Sequence, residues 1–162
     1  MTLSGQAAIA GIGATEFSKD SGRSELQLSV EAVRDALADA GLTPADVDGL
    51  VTFTMDSSSE IAVARELGIP QLRFFSRIGY GGGAACATVL HAAMAVATGV
   101  ADVVVCYRGF NERSGQRFGR VSAAANAQVN TNGLDNAWTY PMGLGTPAAT
   151  VIRFSPNRSS MV

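Results

Sequence analysis

The residue types able to do chemistry gather in one stretch, Gly79–Tyr107. Gly81-Gly82-Gly83 let the backbone come close to a ligand, and the free N–H groups of the helical turn that follows point at it. The same three residues also read as a tight strand-to-helix turn. Cys86, near the start of that helix, offers a thiol nucleophile, or a small buried residue of the kind cysteine most often is. His91 is the only histidine. It can act as a general base only with a partner and a cleft, and otherwise reads as a hydrogen-bonded structural histidine. Cys106 sits in an apolar run and reads as core. Tyr80 and Tyr107 flank the stretch, as pocket walls or as packing. Arg108, Arg113, Arg117 and Arg120 follow within thirteen residues. They can hold phosphates or a partner's carboxylates, or form a solvated loop. With one histidine and two scattered cysteines, no metal-ligand spacing exists.

Composition bounds the reading. The chain has 162 residues, 47% apolar and 16% charged, enough to build one core. A net charge of −2 gives no basic field for nucleic acid. The opening MTLSGQAAIAG lacks the basic flank and apolar run of a signal peptide, and no stretch reads as a membrane span. Cys86 and Cys106 read as free thiols of a reducing compartment, so a cytoplasmic location is expected.

The elements that must position these residues alternate. Ala7–Gly11 reads as a short strand ending in Gly11-Ile12-Gly13, an incomplete dinucleotide fingerprint because its third glycine is missing. Ser24 and Gln27 form a capping-box pattern at the start of a helix whose apolar stripe is Leu26, Val30, Val33, Leu37 and Ala40, stopped at Gly41. Thr43-Pro44 starts a single turn. Leu50–Thr54 reads as a strand, Glu60–Leu67 as a helix, and Leu72–Phe75 as a strand. Ala84–Thr98 is apolar or small on every face and therefore predicts a buried helix. Val103–Tyr107 is a β-branched run that predicts a strand covered on both faces. This alternation predicts an α/β fold with a largely parallel sheet. Beyond Arg120 the pattern weakens. Trp138, Tyr140 and Met142 form an amphipathic loop cluster, Thr146-Pro147 starts a helix that Pro156 must end, and Arg153–Val162 reads as a poorly ordered tail.

Five segments, in this order, resemble the amino-terminal half of the thiolase superfamily, in its sterol-carrier-protein-x and lipid-transfer-protein branch. They are Ala8–Lys19, Gly22–Leu42, Asp46–Phe53, Tyr80–Val105 and Tyr107–Gly119. The wording YGGGA and NERSGQRFG is similar to lipid-transfer proteins that act as retro-aldolases in steroid side-chain breakdown. The resemblance implies a layered αβαβα fold built from two related halves. It implies an acyl-CoA substrate, with no tightly bound cofactor and no metal. Tyr80, Gly81, Gly82 and Gly83 would then floor the acyl-CoA pocket, with backbone N–H groups aimed at the thioester oxygen. Arg113 and Arg117 would contact CoA phosphates or a partner, and Trp138 and Tyr140 would line an acyl channel or cover the core. A homodimer through the strand near Leu72–Arg77 is implied, as is a small OB-fold partner beside an acyl-CoA hydratase.

Two departures matter. Counted from the shared end of the helix, the thiolase nucleophile position falls at Gly82, and Cys86 lies about one turn further in. A glycine cannot attack an acyl group. Retro-aldol cleavage needs only a base for a β-hydroxyl and stabilisation of a thioester enolate. The second departure is the missing carboxy-terminal half, where the family places its catalytic histidine, second cysteine and, in this branch, tyrosines. No catalytic residue is therefore identified in this chain, and it is not expected to be active alone. The likeness fades near Val151. The expected organisation is a thiolase-like α/β domain over 1–120, the start of a loop region over 121–152 and a divergent tail over 153–162. The alternatives are thiolase-type acyl transfer through Cys86, or a non-catalytic acyl-CoA-binding scaffold completed by a partner chain.

Overall fold

A computed structural model describes residues 3–53, 58–79 and 85–111. They belong to one unit, 1–111. Ser24 opens helix α1 (Glu25–Asp39), its hydroxyl accepting the Gln27 N–H at 3.1 Å. Only this half of the expected box forms, because the Gln27 amide turns instead to Glu31 at 3.2 Å. Thr43 and Pro44 start a 3₁₀ turn, Pro44–Asp46, as expected. There Asp46 accepts both the N–H and the hydroxyl of Thr43, at 2.8 and 2.7 Å, and these bonds lower its pKa. Strand β1 (Gly49–Phe53) leads to helix α2 (Glu60–Leu67), strand β2 (Phe74–Ile78), helix α3 (Ala87–Ala97) and strand β3 (Val104–Cys106).

The strands form a parallel sheet ordered β2-β1-β3, with Gly49 opposite both Phe74 and Val104. Alternate residues of β1 face opposite layers. Leu50 packs with Val33, Leu37, Val63 and Leu67 of α1 and α2. Val51 and Phe53 pack with Ile78 and, from α3, Ala87 and Ala92. All of β1 is buried, as a central parallel strand requires.

Asp48, just ahead of β1, ties the amino ends of the three strands together. Its carboxylate accepts the N–H groups of Asp102 and Val103, at 3.0 and 2.9 Å, and a guanidinium N–H of Arg73 at 3.1 Å. Its carbonyl accepts Arg73 N–H at 2.8 Å and Phe74 N–H at 3.1 Å. Arg73 also donates to the Asp102 carboxylate and to the Gly99 carbonyl. These bonds fix where β2 starts, two residues later than Leu72–Phe75 suggested.

Three further expectations change. Ala7–Gly11 forms no strand. Gly11 and Gly13 instead lie so close on α1 that a Cβ on either would meet the backbone of Ala36 or Ala32. The Ile12 N–H donates to Asp39 at 2.9 Å. The glycine pair thus serves close packing and not a dinucleotide turn. Helix α3 is apolar all round but not buried all round: Val89, Leu90 and Met94 are each about half exposed, and Ala95 alone is fully buried. Such a helix is covered only when a layer lies on both sides, and among the described residues the sheet covers one. For the same reason Val104–Cys106 is only partly covered.

Replacing Asp48 by alanine is expected to destabilise the fold by about 2–3 kcal/mol, because charged hydrogen bonds are lost and two strand-entry N–H groups lose their acceptor. Asp48→Asn, which keeps one acceptor, should cost about half. Asp102→Asn, at a carboxylate 81% exposed, should change stability by less than about 0.5 kcal/mol. Urea denaturation of the three variants checks the order.

Candidate functional site

In open parallel α/β sheets ligands bind beyond the carboxyl ends of the strands, where successive connections part to opposite faces. Here β1 leads to α2 on one face and β2 leads to α3 on the other. The connections therefore part above the end of β1, at Phe53.

Beside it the chain leaves β3 as a strap, Tyr107–Asn111, which is held at several points. Tyr107 is buried, its N–H bonded to the Val51 carbonyl and its hydroxyl donating to the Ser58 carbonyl, both at 3.0 Å. Its own carbonyl accepts the Thr52 hydroxyl at 3.3 Å. Gly109 lies against Ser29 and the Glu25 carbonyl, where no Cβ fits. The Asn111 amide donates to the Arg23 carbonyl at 2.8 Å. Tyr107 is thus packing and anchor, not pocket wall. Between these anchors stands Arg108, exposed, its guanidinium 4.6 Å from the Phe110 ring centre and 5.7 Å from that of Phe53. The sequence reading placed Arg108 among the phosphate candidates but missed its two aromatic supports. Phe53 ends a strand and Phe110 lies in a loop, and only the fold brings them together.

His91 is half-buried, with Nδ1 2.9 Å from the Ser76 hydroxyl on β2. It has the partner a structural histidine needs, and it ties α3 to β2. Both cysteines are exposed, against the expectation of buried residues. The Cys106 thiol donates to the Thr88 carbonyl at 3.5 Å. Partial desolvation raises its pKa, and that hydrogen bond opposes the rise more weakly. A thiol held up this way is a poor thiolate. Glu60, at the start of α2, holds Arg77 of β2 through two bonds of 3.3 and 3.2 Å. This pair carried no signal in the sequence, since its members stand seventeen residues apart. Tyr80, Gly81, Gly82, Gly83, Arg113 and Arg117 lie outside the described residues, as do Arg120, Trp138 and Tyr140.

Alkylation of Cys106 by iodoacetamide should rise with pH along a curve centred above that of a free cysteine. The sign follows from the raised pKa: the stability this group contributes is complete below the unfolded thiol's pKa and is lost as pH rises through the folded one. Mass-resolved labelling of a Cys86→Ser variant between pH 7 and 11 measures the curve.

No protein-family profile matches the chain. It is 71% identical, over 149 residues and 92% of its length, to the 17-hydroxy-3-oxo-4-pregnene-20-carboxyl-CoA lyase of Mycobacterium tuberculosis. It is 66% identical, over 153 residues, to a steroid side-chain-cleaving aldolase of Thermomonospora curvata. It spans 39% of the length of each of these relatives. Among solved structures, an Ltp2-ChsH2(DUF35) aldolase superposes on 94% of the chain with a TM-score of 0.75 and 65% identity, 37% of that chain being covered. A monomeric SCP2-thiolase-like protein type 1 of Mycobacterium smegmatis shares the fold over 73% of the chain, with a TM-score of 0.55 and 24% identity, 25% of that chain being covered. The parallel α/β layers described above and these comparisons agree: the chain is similar to roughly the amino-terminal part of steroid side-chain-cleaving lyases and shares the fold of a thiolase-like protein.

Proposed function

We propose that the full-length protein is a lyase that cleaves a steroid β-hydroxyacyl-CoA by retro-aldol reaction. The observation that carries this is the 71% identity to a lyase whose named substrate is a 17-hydroxy steroid bearing a CoA ester on C20. In such a molecule the hydroxyl stands β to the thioester. A base takes the hydroxyl proton, the C17–C20 bond breaks, and C17 becomes a ketone. The electron pair passes into the thioester enolate, which is protonated at C20 to release a three-carbon acyl-CoA. No covalent acyl-enzyme is required. That fits glycine at position 82, and it fits Cys106, whose thiol is kept protonated by its surroundings. Backbone N–H groups of Gly81, Gly82 and Gly83 receive the enolate oxygen, with Tyr80 beside the acyl chain and Arg113 and Arg117 available to phosphates. The base comes from outside this chain. The half-exposed apolar side of α3 supports that division, because it requires cover that these residues do not provide.

The protein forms a homodimer through β2. This strand lies at the sheet edge among the described residues, and an edge strand offers unpaired backbone groups. It also carries Phe75, 68% exposed. Antiparallel pairing with a second copy of β2 satisfies both features at a two-fold axis. An OB-fold chain is the further partner, supported by the two-component name of the superposed aldolase. No described helix is long and apolar enough to cross a membrane.

The full-length protein, incubated with a 17-hydroxy steroid C20-carboxyl-CoA ester, should yield a 17-ketone and a three-carbon acyl-CoA in equal amounts by mass spectrometry. Residues 1–162 alone should yield neither. Cleavage that depends on added free CoA and is abolished by Cys86→Ala would replace the retro-aldol reading with thiolytic acyl transfer. Phe75→Asp should shift the full-length protein from dimer to monomer in sedimentation.

A further inference from the structure

We infer that the Glu60–Arg77 ion pair is a positioning device for the reaction: it fixes the carboxyl end of β2, from which the chain runs on to Gly81-Gly82-Gly83. The inference rests on the lyase reading above for the task of those glycines, and on the geometry for the pair. Among the described residues β2 pairs with β1 on one side only, and their ladder ends where β1 ends, with Phe53 opposite Ile78. The end of an edge strand is where a sheet opens first. Here it is held from both faces, because alternate residues of β2 point to opposite layers. On one face the Ser76 hydroxyl lies 2.9 Å from Nδ1 of His91 on α3, and Ile78 is buried against Val51 and Phe53. On the other, Glu60 accepts from Arg77 with both carboxylate oxygens, from Nε at 3.3 Å and from Nη2 at 3.2 Å. Glu60 is itself anchored. It opens α2, whose cap Ser59 accepts the Ala62 N–H at 3.2 Å, and the Ser58 carbonyl holds the Tyr107 hydroxyl. The Glu60 side chain is 11% exposed. Shielding a carboxylate this far costs desolvation that offsets much of the attraction, so apolar side chains would serve the core as well. What a two-bond fork adds is direction, because it sets the orientation of the guanidinium as well as its distance. Gly81 follows Arg77 by four residues. Donors that receive an enolate oxygen must be in place before its charge develops, and a small displacement of them lowers rate more than binding.

The test uses the full-length protein and a 17-hydroxy steroid C20-carboxyl-CoA ester. Glu60→Gln and Arg77→Met should each lower kcat per folded molecule about tenfold to a hundredfold, with KM changed by less than about twofold. The double variant should fall no further than the worse single variant, because either change alone breaks the fork. Arg77→Lys, which keeps the charge but not the fork, should lie between. Circular dichroism at the assay temperature gives the folded fraction and separates displacement from unfolding. Hydrogen–deuterium exchange read by mass spectrometry makes the comparison without turnover. In Glu60→Gln, peptides covering residues 74–83 should lose protection while those covering α1 keep it. If the wild-type protein does not cleave the ester, the lyase reading fails, and the exchange measurement still decides whether the pair holds this segment. Four results would each overturn the inference: a rise in KM with kcat unchanged, a loss of kcat no larger than the loss of folded protein, additive losses in the double variant, or unchanged exchange over residues 74–83.

Discussion

One carboxylate organises the described fold. In a parallel sheet every strand begins at the same end, so the amino ends of β1, β2 and β3 crowd together with the donors of three entering chains. Asp48 answers that crowding from both its side chain and its carbonyl, accepting from Arg73, Phe74, Asp102 and Val103. Arg73 then joins Asp48 to Asp102 and caps the Gly99 carbonyl after α3. The cluster is partly shielded, the Asp48 side chain being 15% exposed. Its bonds are therefore stronger than those of a surface pair, and no full desolvation cost is incurred. The strands cannot slip against one another without breaking it. Register fixes which side chains face which layer, so both hydrophobic clusters depend on this end of the sheet.

The opposite end is built differently. There the residues that stand out are held by packing and by bonds to backbone: Tyr107 to Ser58, Asn111 to Arg23, Arg108 over rings. An ion cluster thus orders one end of the sheet, and packing with bonds to backbone orders the strap at the other.

Much of this architecture could be read from the sequence. The cap at Ser24, the turn at Thr43-Pro44 and the apolar stripe of α1 are local signals, and local signals decide helices. What could not be read was long-range. The β2 boundary is set by Asp48, twenty-five residues from Arg73. The run Ala7–Gly11 has the composition of a strand, but a strand exists only where an edge is offered to it. Here the two glycines let it settle on α1 instead. In the site, the resemblance pointed to Gly81–Gly83, outside the described residues, while Arg108 drew interest only as one of four arginines. Its aromatic support arises from Phe53 and Phe110, fifty-five and two residues away, and no periodicity joins them.

The exposure of α3 shows how one observation can serve sequence and function together. A helix without a charged side chain was expected to be buried, and its apolar character is as predicted. Its inner side packs on β1, β2 and β3 while Val89, Leu90 and Met94 face outward. Leaving three large side chains half exposed forgoes roughly 1 kcal/mol each relative to full burial. A sequence that tolerates this on its most apolar helix was shaped with that side covered. The relatives are more than twice as long as this chain, and they supply the chain length such cover needs. The completion of the core therefore requires a layer that the described residues do not include.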